Sequence, residues 1–576
     1  MFKLAKKRLS SLAVLGAALF MIIQVFCDLQ LPTITSDMIN KGVATGNTDY
    51  IWHSGGLMLL LALIGVLAAA GNVFFAATQA QKLGSKLREE LFSKVLHFGN
   101  FEMDQLGSSS LITRTTNDVL QIQNVMVMIL RMMIQAPIML VGAGIMAYIS
   151  EKKLTLVFLI SIPVLLLAII SIMYFAVPLF KSLQKRIDRI NLVFREGLTG
   201  VRVIRAFCQD HFEQDRFKQA NSSYTDTAIK AFSLVSLMFP LMILILNFTN
   251  IGIIWTGGNL IATNSMEVGN LVSFMTYAAM ILFSFMMLSM IFVFIPRAQA
   301  AAVRINEVLD TDFSIIDVSA PKKFPKKKVH TLEFKQVDFR YENAEKKVLQ
   351  NVNFRLTSGQ TLAILGGTGS GKSTLVNLLP RLYDIESGVI LFDGNDISKS
   401  RQSDLRKIIS FVQQRAVLFK GTIRSNLYFG KPDASDEEMW HALEVAQAKD
   451  FVKELPEGLD AGVEQNGANF SGGQRQRLAI ARALIKPADV YIFDDSFSAL
   501  DFKTDAKLRQ ALKADPHTSE SIVIIVAQRI ATVTQADLIL VLDEGRVVGL
   551  GNHQQLKAGN ETYREIMHSQ LKEEEI

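Results

Sequence analysis

The sequence predicts a multidomain chain, with an all-α domain of six transmembrane helices first and a soluble α/β domain second. Three observations carry that reading. The 576 residues are 49% hydrophobic and 20% charged, with a mean hydropathy of +0.27, too apolar for a wholly soluble chain and far from the composition of disorder. Six long apolar stretches fill the chain up to Pro296, and no comparable run follows. Beyond it, short apolar β-type runs and helical patterns lie between glycine-rich turns at ordinary composition.

The apolar stretches lie near 11–31, 56–80, 125–149, 154–180, 232–262 and 269–296. Each can cross a hydrocarbon core of about 30 Å as a helix. Orientation follows from the Lys and Arg residues in the connections, which gather on the cytoplasmic side. Lys3, Lys6, Lys7 and Arg8 precede the first helix; Lys82, Lys86, Arg88, Lys94 and Arg114 lie between 82 and 121; ten more lie between Lys181 and Lys230. The other connections hold only Lys41, then Lys152 and Lys153, then none between Trp255 and Glu267. Both termini and the soluble domain are therefore expected in the cytoplasm of a multi-pass membrane protein. The basic start followed by an apolar run resembles a secretory signal, but no A-x-A-like site follows, so the first helix reads as retained.

The net charge of +6 and pI near 9.0 fit cytoplasmic loops next to lipid, and no nucleic-acid partner is expected. Cys27 and Cys208 cannot build a disulfide framework or a zinc site, which points to a reducing compartment for the soluble parts. Residues 82–98 and 181–218 have few breakers and mixed charge, and read as long helices leaving the membrane. Gly99–Ser110 and Gly197–Asp210 read as turns. The membrane domain is thus placed at 1–310, a linker containing the Lys- and Pro-rich Pro321–Lys328 at 311–330, and the soluble domain at 331–576, opening on a strand-like alternation from Thr331 to Tyr341.

The apolar run 361–365 leads into Gly366-Gly367-Thr368-Gly369-Ser370-Gly371-Lys372-Ser373-Thr374 and then a helical pattern, which is the phosphate-binding P-loop in its strand-loop-helix context. Its glycines let backbone amides turn in around phosphates, Lys372 is placed to bridge the β- and γ-phosphates, and the Ser373 hydroxyl suits Mg²⁺. The buried-strand pattern Val490–Phe493 ends in Asp494, a carboxylate placed to hold the metal through its water shell. ATP and Mg²⁺ are the expected cofactors.

Ser471-Gly472-Gly473-Gln474, followed by Arg475-Gln476-Arg477, sharpens the match: the chain resembles the ATP-binding cassette exporters over nearly its whole length. The resemblance implies an α/β P-loop domain with a helical subdomain, working as a dimer of cassettes in which Ser471, Gly472, Gly473 and Gln474 reach the γ-phosphate held by the opposite cassette. It implies further that Tyr341 stacks on adenine, that Gln414 reaches Mg²⁺ and senses the membrane domain, and that Ser498–Asp501 crosses the dimer interface. The stretches near 99–110 and 205–215 look like the coupling helices that dock on the cassettes.

Two positions depart from the family pattern. Active members carry Glu after the metal Asp, whereas here Asp495 follows, one methylene shorter. A retraction of about 1.5 Å follows, and misplacement on that scale can cost on the order of 10²-fold in rate. The family's switch histidine is replaced by Gln528, whose neutral amide donates a hydrogen bond but cannot become positively charged. Together these resemble the degenerate-site half of bacterial heterodimeric multidrug exporters, with Asp495 and Gln528 as the altered catalytic pair. The resemblance implies a second half-transporter carrying the competent site, hydrophobic small-molecule substrates, and residence in the bacterial plasma membrane. A lipid or peptide exporter, or a regulatory ATP-binding membrane subunit that transports nothing, are the other readings. The sixth stretch carries Phe274, Met275, Tyr277, Met280, Phe283, Phe285, Met286, Met287 and Met290, which either line a deformable cavity or pack against lipid and neighbouring helices. Asp28 and Arg131 are costly in a membrane, and each is functional or near an interface.

Overall fold

The computed structural model describes residues 2–325, 327–342 and 344–570, without the side chains of residues 2, 3 and 289–293. Two compact units emerge, Met1–Leu96 with Ser109–Thr311, and His97–Ser108 with Asp312–Ile576.

In the first unit, six helices of the described residues are long and apolar enough to span a membrane: Ser11–Val43, Thr48–Leu96, Ser108–Ser150, Leu156–Ala206, Asp210–Ala262 and Val268–Leu288. The last belongs to a helix that runs on to Asp310. Thr48–Leu96 has 49 residues, which at 1.5 Å per residue is over twice the hydrocarbon thickness. The charged connections are thus helical continuations. Both expected turns are different: Gly99–Ser110 is helical at Asn100–Leu106 and again from Ser108, and Gly197 and Gly200 lie inside the helix Leu156–Ala206, the chain breaking only at Phe207–Gln209, where Cys208 has a φ of +52°. A glycine inside a helix costs only about 1 kcal/mol relative to alanine, too little to end a helix this long.

Close helix packing in this unit uses small residues, with Ala17, Ala68, Ala76, Ala136 and Ala143 all buried. On the sixth helix, Phe274 stacks on Phe158 with centroids 4.9 Å apart, and the Tyr277 hydroxyl donates to the Leu29 carbonyl at 3.0 Å. These two side chains pack against neighbouring helices, whereas Phe283 is exposed; the side chain of Met290 lies outside the described residues. Asp28 is half-buried on the first helix, and Arg131 is exposed on a π-helical turn, Ile129–Met133.

The second unit is built on a ten-stranded sheet. Its strands are β1 (Thr331–Phe339), β2 (Leu349–Thr357), β3 (Thr361–Gly366), β4 (Ser387–Phe392), β5 (Asn395–Asp396), β6 (Ile409–Val412), β9 (Val490–Asp494), β10 (Ile522–Val526), β11 (Leu538–Asp543) and β12 (Arg546–Gly551), while β7 (Gly421–Thr422) and β8 (Gly462–Val463) form a separate pair. The order is β5-β4-β1-β2-β12-β11-β3-β10-β9-β6, with β11, β3, β10, β9 and β6 mutually parallel. β9 and β10 are buried at every residue, which explains their unbroken apolar sequences. Alternate residues feed two cores: Tyr491, Phe493, Val523 and Ile525 face a core shared with the helices Asp436–Val445 and Gly472–Leu484, and Val490, Ile492, Ile522 and Ile524 face one shared with β1, β2 and β4. A short helix, Asn100–Leu106, packs in this unit although its sequence lies between two membrane helices. Its Glu102 is buried and accepts from the Ser314 amide at 2.5 Å.

An ion-pair cluster, buried at Asp118 and Arg114 and exposed at Arg304 and Glu307, joins the cytoplasmic parts of the third and sixth helices of the first unit. Asp118, fully buried, takes a forked pair of hydrogen bonds from Arg304 at 2.7 and 2.5 Å, while Arg114 donates to the Arg304 carbonyl and pairs with Glu307 at 2.8 Å. Asp118→Ala removes the acceptor of both Arg304 bonds and should destabilise the protein by about 2 kcal/mol. Thermal unfolding in lipid nanodiscs will read this as a clear fall in melting temperature, with no change for Lys41→Ala, whose partner Asp37 is exposed.

Candidate nucleotide-binding site

Strand register assembles the site. Val526 of β10 lies beside Ile364 of β3 on one side and Asp494 of β9 on the other, so the segments leaving these three strands emerge at one edge of the sheet. They are the loop from Gly366, the pair Asp494-Asp495, and Gln528.

The loop after β3 is shaped by its glycines. A Cβ on Gly366 would lie 2.2 Å from the Leu542 carbonyl oxygen, and Gly371 sits at φ +98° with room for a Cβ only at 3.0 Å from Leu349. Gly367, Thr368 and Gly369 form its exposed tip. Lys372 is buried and donates to the Gly366 and Gly367 carbonyls at 2.9 and 2.7 Å. Burial pulls its ammonium below the usual lysine range, while Asp495 and Asp494 favour the charged form. Ser373 donates to Asp494 at 3.0 Å, so two of the three groups expected to hold the metal already touch. Asp494 is pushed above the usual carboxylate range by burial, against the Ser373 hydrogen bond and Lys372.

Asp495 is the hub of the remaining polar groups. It is buried, with a left-handed φ of +47°, and its Oδ2 accepts from Gln414 Nε2 at 3.3 Å and from Gln528 Nε2 at 2.8 Å. Burial raises its pKa above the ordinary value, opposed by hydrogen bonds from Gln414, Ser498 and Gln528 and by the nearby Lys372 charge. Tyr341 stands beside the loop, its hydroxyl 2.9 Å from Thr374 Oγ1 and its ring edge-on to Phe339 and Tyr383. The residues fit a polyphosphate with a divalent cation: the buried Ser370 Oγ is without a partner at the loop, and a lysine, a hydroxyl and two carboxylates converge beside it.

Ser471–Gln474 stand apart from this group. Ser471 caps the helix Gly472–Leu484 through reciprocal bonds with Gln474, 3.2 Å to its amide and 2.9 Å from the Ser471 amide to Gln474 Oε1. A Cβ on Gly472 would meet nothing within 4 Å, and one on Gly473 would lie 3.4 Å from the Ala499 carbonyl.

Comparison with known proteins agrees with this architecture. Residues 14–286 match the ABC transporter transmembrane region family and residues 349–498 the ABC transporter family. An uncharacterized ABC transporter ATP-binding protein of Mycobacterium tuberculosis is 41% identical over 553 residues, covering 95% of this chain and 94% of its own. The chain belongs to the ABC transporters. A protein of Bacillus subtilis, named as an uncharacterized ABC transporter ATP-binding protein, is 35% identical over 96% of both chains. The structure of a bacterial Atm1-family ABC exporter with ATP bound superposes with a TM-score of 0.81 at 25% identity, covering 97% of this chain and 98% of that one.

This ABC exporter half-transporter carries its membrane domain and its ATP-binding domain in one chain, as a multi-pass membrane protein with the ATP-binding domain in the cytoplasm. One contributor to the site escaped the sequence reading. Arg529 lies over the Phe502 ring at 4.8 Å and reaches the Ser498 and Leu500 carbonyls at 3.4 and 3.5 Å, tying the Gln528 loop to Ser498–Asp501. Its signal was only adjacency to Gln528. The loop geometry has a direct consequence for Mg-ATP affinity. Gly366→Ala and Gly371→Ala should weaken binding by about tenfold or more, from strain of about 1–3 kcal/mol, while Gly367→Ala, with no atom within 4 Å of its Cβ, should leave it nearly unchanged. Titration with a fluorescent ATP analogue in nanodiscs reads the three variants side by side.

Proposed function

We propose that this chain is the degenerate-site half of a heterodimeric ABC exporter that moves hydrophobic or amphipathic compounds outward. Its own P-loop site binds Mg-ATP and hydrolyses it weakly. The single observation behind this reading is the arrangement at Asp495, whose Oδ2 accepts from the amides of both Gln414 and Gln528. A general base needs a free lone pair aimed at the attacking water. This carboxylate is one methylene short, and the oxygen it turns toward Gln414 and Gln528 already holds two donors. Neither amide can take on positive charge, so beside Lys372 the switch position would offer developing charge near a γ-phosphate only a neutral donor.

The groups for binding are complete by contrast. The Gly366–Gly371 amides and Lys372 would hold the phosphates, Ser373, Asp494 and Gln414 the Mg²⁺, and Tyr341 the adenine. Bound Mg²⁺ would supply charge neutralisation at the phosphate oxygens. Ser471, Gly472, Gly473 and Gln474 open a helix through a cap of their own, with bonds between Ser471 and Gln474, which suits service to a partner's nucleotide. Long helices reaching well past the membrane supply the lever by which cassette closure would be felt in the membrane domain. The exposed apolar side chains of the first unit, among them Phe283, suit contact with lipid and with apolar cargo.

The purified full-length chain should bind Mg-ATP and turn it over slowly, with Lys372→Ala abolishing binding. Robust turnover that disappears in Lys372→Ala would overturn the weak-hydrolysis reading. Asp495→Glu combined with Gln528→His should raise hydrolysis at this site, assayed in a pair whose other catalytic Glu is changed to Gln. No gain at normal ATP affinity, with an intact signature sequence facing the site, would mean that these two residues do not explain the weak turnover.

A further inference from the structure

Gln528 is held at both ends. Its side chain donates to Asp495, and its backbone carbonyl accepts from Gln570 Nε2 at 2.8 Å, while Gln570 Oε1 accepts from the Ile530 amide at 2.8 Å. One primary amide therefore spans the backbone on both sides of Arg529, satisfying a donor and an acceptor that the sheet leaves free where β10 ends. Gln570 lies just past the helix Glu561–His568, whose Tyr563 and Met567 are buried in the helical-side core and whose Tyr563 hydroxyl is 2.7 Å from His553 Nδ1. Gln570 itself is exposed. An exposed glutamine gains nothing from burial and gives up roughly 1.5–2 kcal/mol of side-chain freedom when held, so its position rests on these two directional bonds.

We infer that Gln570 is a positioning residue for the nucleotide site: it fixes the Gln528 loop to the C-terminal helix and so sets how long Mg-ATP stays bound. The inference rests on the reading of Gln528 as the group that faces the γ-phosphate. The connection runs from the buried Tyr563 and Met567 through Gln570 to the backbone at 528–530, and from the Gln528 amide to Asp495. Nothing in the 42-residue separation from Gln528 would draw attention to Gln570 in the sequence. The bonds are made to backbone groups, so they hold the loop whichever side chain occupies position 528.

The experiment uses the full-length chain with its partner half in nanodiscs and follows release of a fluorescent ATP analogue with Mg²⁺ after a chase of unlabelled ATP. Gln570→Ala should shorten residence about tenfold, if the loop freed of these two bonds keeps its position about a tenth of the time. Gln570→Glu, which keeps the acceptor for the Ile530 amide and loses the donor to the Gln528 carbonyl, should fall between. Gln528→Ala should also shorten residence, and adding Gln570→Ala to it should change nothing further, because the two act through one contact. Independent, additive effects would overturn the inference, as would unchanged residence in Gln570→Ala, or shortening that merely follows a fall in melting temperature. Steady-state turnover of an assembly whose partner's catalytic Glu is changed to Gln reports separately on weak hydrolysis at this chain's own site. Fast turnover there would defeat that reading and leave the coupling between positions 570 and 528 to be judged from residence alone.

Discussion

The parallel register at the centre of the sheet is the constraint on which the site depends. β3, β9 and β10 are level at Ile364, Asp494 and Val526, and a slip of one residue in any of them would turn its side chains to the opposite core. Complete burial of β9 and β10 on both faces penalises such a slip heavily. The chemistry is therefore placed by packing: once the apolar residues find their cores, Lys372, Asp494, Asp495 and Gln528 leave the sheet at the same edge. Backbone conformation then adjusts the details, with Gly371 and Asp495 both at positive φ where the chain turns away from the strands.

On the proposed reading, one oxygen within that frame separates binding from turnover. Asp494 is engaged by the Ser373 hydroxyl, a pairing compatible with a shared metal, whereas Asp495 is engaged by two amides that have no part in proton transfer. Burial makes both carboxylates more basic than in water, which favours a base at Asp495, but the donors around it work in the opposite direction. In this account geometry and hydrogen bonding, more than basicity, make the site a holder of nucleotide. On the proposed reading, such a half-transporter would contribute its energy through nucleotide-dependent contact between cassettes and leave most of the hydrolysis to its partner.

Much of this was legible in the sequence because the physical signals were strong. Unbroken apolar stretches gave the membrane helices, the glycine spacing after 361–365 gave the loop, and four apolar residues before Asp494 gave the neighbouring strand. The helical character of 82–98 and 181–218 was also readable from mixed charge and few breakers, apart from the break at Phe207–Gln209. The second expected turn was not, because Gly197 and Gly200 are tolerated inside a helix that continues on both sides. The packing of Phe274 on Phe158 and of Tyr277 on Leu29 was equally hidden, since helical spacing does not say which face meets a neighbour. Long-range partners such as Arg304 for Asp118, or Ser314 for Glu102, depend on tertiary contacts across 186 and 212 residues that no local pattern encodes.

The central claim is that ATP survives at this chain's own site. The direct measurement is photolabelling of the working exporter with 8-azido-ATP carrying radiolabel in either the α- or the γ-phosphate, followed by isolation of this chain after many turnovers. Equal α and γ label on the chain means that the nucleotide it held was intact ATP, which is the result expected here. Retention of the α label with loss of the γ label would mean that the site had cleaved its nucleotide, and would contradict the account.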